Sequence, residues 1–65
     1  MRDLTKNEIK VYDILIELDR GGGVYIKDIV KKSGFSTKEI IKITDQLKQF
    51  GEVYEPAPFL YKVLR

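Results

Sequence analysis

Apolar residues recur every three or four positions over most of this chain, and every second position near its end, with polar or glycine-bearing breaks between. A period near 3.6 predicts helices and a period of two predicts a strand. Leu4, Val11, Leu15 and Leu18 share one face with Glu8, and Ile14 lies beside them. Lys6, Lys10, Asp13, Glu17 and Arg20 take the complementary side. Thr5 and Glu8 have the spacing of a capping box, in which each side chain satisfies the other's free amide, so a first helix starts there. Ile9, Tyr12 and Ile16 form a second apolar line. It makes this either the central core helix or one that shows Ile9, Tyr12 and Ile16 to a protein partner. Gly21-Gly22-Gly23 is expected to end the helix, because each interior glycine costs about 1 kcal/mol. No Lys-Ser or Lys-Thr follows these glycines, which argues against a phosphate-cradling P-loop.

Val24-Tyr25-Ile26 reads as a short extended segment, and Lys27 to Ser33 as a short helix with Ile29 and Val30 inward. In the turn Ser33-Gly34-Phe35-Ser36, Gly34 suits a left-handed position after a helix and Phe35 plugs the angle between two helices. Ser36 and Glu39 repeat the capping-box spacing, and Ile40, Ile43, Leu47 and Phe50 define a third helix that Gly51 stops. Ile41 falls off that stripe and is expected to pack sideways. Val53-Tyr54 and Phe59 to Leu64 are rich in strand formers, with Phe59, Tyr61 and Val63 alternating against Leu60, Lys62 and Leu64. Pro56 and Pro58 cannot donate to a ladder and are expected in the connecting loop. The order helix, strand, helix, helix, strand, loop, strand predicts an α+β fold. It is that of a small winged helix-turn-helix, with three helices and a short sheet bearing a two-stranded wing, in a single domain over residues 1–65.

Composition narrows the chemistry. The 65 residues contain no cysteine and no histidine. Disulfides, thiolate metal sites and the usual neutral-pH general base are therefore absent, and neither a catalytic residue, a metal site nor a cofactor is expected. The longest apolar run, Ile14-Leu15-Ile16, is far short of the roughly 20 residues that span a bilayer. A soluble, cytoplasmic and nucleoid-associated protein is the expectation.

Net charge is +2, and its distribution says more than its sum. Between Lys27 and Lys42 stand five lysines against Asp28 and Glu39, while the flanking segments are close to neutral. The third helix of a helix-turn-helix reads base edges in the major groove while lysines hold phosphates. Its outward set is Thr37, Lys38, Lys42, Asp45, Gln46 and Gln49, with Lys31 and Lys32 on the helix before. Gln46 and Gln49 suit adenine, and Thr37, Lys38 and Lys42 suit phosphate. Asp45 repels the backbone, and Glu52, Glu55 and the uncharged Pro56-Ala57-Pro58-Phe59 leave only Lys62 and Arg65 near the wing. Duplex binding is therefore expected to be weak and salt-sensitive. Phe59 either tucks under the wing as core or joins Pro56 and Pro58 in an apolar patch for a protein or a base.

Residues Leu47-Lys48-Gln49-Phe50-Gly51-Glu52-Val53-Tyr54-Glu55-Pro56-Ala57-Pro58, with Tyr61-Lys62-Val63-Leu64, resemble the C-terminal winged-helix domain of archaeal minichromosome maintenance (MCM) proteins, the replicative DNA helicases. That family often has a basic residue and a glycine where this chain has Ala57 and Phe59. The resemblance implies the C-terminal fragment of a larger ATP-dependent helicase, itself without catalytic residues. Its implied role is to modulate ATPase and unwinding. Its implied partners are the rest of the helicase or replication-loading factors and weakly held duplex DNA, with no membrane and no small-molecule substrate. The rival expectation is a free-standing transcription regulator that binds duplex DNA through the third helix.

Overall fold

A computed structural model describes residues 4–64, which form α1 (Lys6–Leu18), β1 (Val24–Tyr25), α2 (Ile26–Ser33), α3 (Thr37–Gln49), β2 (Val53–Ala57) and β3 (Leu60–Val63). Each helix packs against the other two. The sheet closes one side of this group, with β3 against α1 and β2 against α3. All strand pairs are antiparallel, in the order β1-β3-β2, so the last strand in sequence is the central one. The result is a small α+β fold.

The starts of α1 and α3 follow from their caps, but not equally. The Glu8 amide donates to Thr5 Oγ1 at 3.2 Å and the Thr5 amide donates to Glu8 Oε1 at 2.8 Å, so the first capping box is complete. At α3 the Glu39 amide donates to Ser36 Oγ at 3.1 Å, and the Glu39 carboxylate takes the Ser36 hydroxyl instead of its backbone amide. That box is half formed. α3 ends in a Schellman motif: Gly51, at φ 76°, donates to Lys48 O and Glu52 donates to Leu47 O, as a left-handed residue after the last turn allows.

α1 ends at Leu18, before the glycines, because Asp19 takes over. Its Oδ1 accepts from the amides of Gly21 at 2.9 Å and Gly23 at 3.0 Å, and its Oδ2 accepts from Val63 at 3.1 Å. One buried carboxylate thus ties the helix end, the glycine loop and the central strand together. Gly23 is required twice over. Its φ is 89°, and a Cβ there would lie 2.9 Å from Lys62 Cγ and 3.1 Å from Tyr61 O.

Other expectations shift by small amounts for local reasons. Ile26 opens α2 instead of closing β1, since its amide is satisfied by Phe59 O at 2.9 Å. Pro56 lies within β2 and not in the loop. β2 is an edge strand, and its register slips between Tyr54 and Ala57, so a residue without an N–H breaks no ladder bond there. Phe59 is a turn residue with φ 61°, outside the alternation that buries Tyr61 and Val63.

Val11, Leu15, Ile29, Ile40 and Leu47 are fully buried and join all three helices. Each such side chain contributes about 2 kcal/mol, against well under 1 kcal/mol for an exposed ion pair, so apolar burial holds the helices together. Thr44 is also fully buried, its hydroxyl donating to Ile40 O at 2.8 Å and so satisfied within its own helix. Ile41 is half-buried beside that stripe.

Candidate functional site

The third helix presents its polar face to solvent. Thr37, Lys38, Lys42, Asp45 and Gln49 are exposed and Gln46 is half-buried. At about 100° per residue, Lys38, Lys42, Asp45 and Gln49 fall within roughly 60° of one another, opposite Ile40 and Leu47. Lys38 and Lys42 have no carboxylate within ion-pair distance among the described residues. Lys42 and Gln46 also line a cleft of about 300 Å³ with Thr5, Asn7 and Glu8 of the α1 start.

Of the carboxylates expected to repel a nucleic acid, Asp45 and Glu55 are engaged, whereas the bonds of Glu52 are those of its backbone. Lys48 Nζ lies 3.3 Å from Asp45 and 2.8 Å from Glu55 Oε1, and Glu55 Oε2 accepts the Phe59 amide at 2.7 Å. Lys48, and after it the Phe59 amide, hold the Glu55 carboxyl below its usual range. Glu55 in turn raises the Lys48 pKa, against the opposing effect of burial. These contacts brace the β2–β3 hairpin against α3.

The hairpin is short. Ala57 pairs with Leu60 across the two turn residues Pro58 and Phe59, and Leu60 pairs with Tyr25 on its other side. Phe59 O accepts the Ile26 amide, so the tip is tied to the start of α2 and does not project beyond the sheet. Lys62 is the basic strand residue here, and Arg65 lies outside the described residues.

The candidate basic residues do not form one surface. Lys31 and Lys32 line a concavity of about 500 Å³ with Tyr25 and Leu18, at the β1 side, and Lys32 Nζ lies 3.5 Å from Glu17. Lys38 and Lys42 stand on α3. Of the protein-contact candidates, Ile16 and Phe59 are 41% and 49% exposed, whereas Tyr12 is half-buried against the core. Phe59 is therefore not a core residue.

Two exposed tyrosines lie outside the expected contact residues, although Tyr54 belongs to the stretch that carries the family resemblance. Tyr25 and Tyr54 occupy exposed strand positions, each next to a buried valine, Val24 or Val53. The period-two rule applied to those short strands would have found them. Among the described residues no group of three or more metal-ligating side chains converges, and no helix is long and apolar enough to cross a membrane. No family model, curated protein or solved structure matches this chain.

Proposed function

We propose that this chain is a winged-helix accessory domain of a replicative DNA helicase of the minichromosome maintenance kind, nucleoid-associated, which modulates the motor's ATPase and unwinding chiefly through protein contacts. The observation that carries this reading is the braced hairpin. The residues behind the resemblance have structural work in it: Gly51 turns the chain out of α3, Glu55 bridges Lys48 and the Phe59 amide, Pro56 sits at the edge irregularity and Pro58 begins the turn. A tip made of Ala57, Pro58 and Phe59 offers no cation to a phosphate. The test is ATP turnover and strand unwinding by the parent helicase with and without residues 1–65. A change in either rate is expected, and identical rates with identical partner binding overturn the reading.

A second reading, a regulator that grips duplex DNA through α3, is favoured by the unpaired Lys38 and Lys42 and by the engagement of Asp45 with Lys48. With Lys31 and Lys32 on another surface, about two phosphate contacts are available, so log K against log salt should have a slope near −2. Titration with duplex DNA at about 50 mM salt tests it, and no chemical-shift change along α3 removes it.

A further inference from the structure

The outward face of the three-stranded sheet combines aromatic rings with positive charge in a way that neither α3 nor the hairpin tip does. Directly opposed residues of antiparallel strands lie on the same face of a sheet. Tyr25 opposes Leu60, Leu60 opposes Ala57, and Tyr54 opposes Lys62, while the pairs Val24–Tyr61 and Val53–Val63 turn inward. Tyr25 is 53% exposed and Tyr54 39% exposed. They flank the central strand, two inter-strand spacings apart across the sheet and two residues apart along it, which puts their backbones roughly 12 Å from each other.

Lys62 stands between them. Its ammonium lies 5.9 Å from the centre of the Tyr54 ring, and its stem crosses Gly23, where any side chain would collide with it. The missing side chain at Gly23 lets the lysine lie along the sheet. Cations continue at both rims: Arg20 shares a concavity of about 540 Å³ with Tyr54 and Lys62, where the Asp19 carboxylate is taken up by backbone amides, and Lys31 and Lys32 outnumber Asp28 in the one beside Tyr25. The one carboxylate in the described strands, Glu55, is bonded to Lys48 and the Phe59 amide and does not join this face.

We infer that this face is a stacking platform for single-stranded nucleic acid, with Tyr25 and Tyr54 stacking on bases and Lys62, Arg20 and Lys31 following the phosphates. Exposed aromatics along a basic track are the elements of sequence-tolerant single-strand binding. Protein-docking faces are depleted in lysine at their centres, and here a lysine is central. A duplex keeps its bases stacked on one another and has no free base face to offer two tyrosines. The inference stands on the sheet and not on α3, so it survives failure of either reading above.

Oligothymidylate of about 10 nucleotides, labelled for anisotropy, is the probe, titrated at about 50 mM salt beside a duplex of equal length. Single strands are expected to bind more tightly than the duplex. Tyr25→Ala and Tyr54→Ala should each weaken them by about fivefold or more, and the Phe variants should restore binding, because a π face suffices. The Lys38→Ala/Lys42→Ala double variant should leave single-strand affinity within about twofold, since those lysines lie on α3. With no tryptophan in the chain, quenching of tyrosine emission gives an independent readout on the unlabelled protein. Circular dichroism melting confirms that the alanine variants fold. No binding of single strands, a preference for duplex, alanine variants that fold and bind normally, or equal loss in the α3 double variant would each overturn the inference. Silence toward oligothymidylate with self-association lost in Tyr25→Ala would assign the face to a protein instead.

Discussion

Helix α3 and the β2–β3 hairpin lie side by side and are joined through Lys48 and Glu55, yet they treat their polar groups in opposite ways. On α3, Lys38, Lys42 and Gln49 end in solvent. Around the hairpin, Asp19 holds Val63, Glu55 holds Lys48 and Phe59, and Phe59 O holds Ile26. The formal charges of the two regions are similar in kind, but the hairpin's Glu55 is held by internal contacts with Lys48 and the Phe59 amide, whereas Lys38 and Lys42 of α3, like Lys62 on the outward side of β3, remain available to a ligand. A charge counted along a sequence becomes a charge at a surface only after internal contacts have been subtracted.

The contrast breaks most severely at Asp19. Asp19→Ala removes the acceptor of three backbone amides, and orphaned buried donors are strongly unfavourable, so about 3 kcal/mol of stability should be lost. Thermal unfolding should show a midpoint lower by roughly 10–20 °C. A loss under about 1 kcal/mol would mean that water replaces the carboxylate and that the hairpin side is less dependent on internal contacts than described.

Glu55→Gln is the next step down, with an expected loss of about 1 kcal/mol in urea unfolding near neutral pH. It also carries a pH signature. A carboxyl whose folded pKa is lowered stabilises the fold above its unfolded value, near 4.3, and loses that contribution as pH falls through the lower folded value. The wild-type chain should therefore lose this increment from about pH 5 downward, and the variant should show a flatter profile there. The raised pKa of Lys48 works at the other end: its contribution persists below the ordinary lysine value near 10.4 and disappears as pH rises beyond it.

Phe59→Gly should raise stability by about 0.5–1 kcal/mol. A side chain at φ 61° is strained, and glycine relieves that strain at some entropic cost in the unfolded chain. A fall in the urea midpoint would instead show that the ring packs on the hairpin. Smallest of all, Lys38→Ala/Lys42→Ala should change stability by no more than about 0.5 kcal/mol. Any larger effect would show α3's outward lysines to be engaged internally and would erase the contrast.

The helices were legible because their information is local. The Thr5–Glu8 box, the apolar spacing from Ile40 to Leu47 and the left-handed glycines at 34 and 51 all act within a few residues. The end of α1 was not, because Asp19 is fixed partly by Val63, 44 residues later. Pro56 was misplaced because whether a strand tolerates proline depends on being at an edge, a property of the assembled sheet. The candidate basic surface was legible as a list of lysines. Its division between α3 and the β1 side depends on how α2 is rotated, which the charges alone do not encode.

Strand order has a consequence for how the chain comes into being. Val24 meets Tyr61 in the sheet, so β1 emerges during synthesis well before the strand that will pair with it. At 5–20 residues per second that interval is roughly 2–7 s, far longer than a helix takes to form. The helices can sample their packing while the sheet does not yet exist. When β3 arrives it pairs with both neighbours, so the nascent domain passes from a loose cluster of helices to its finished form in one late event.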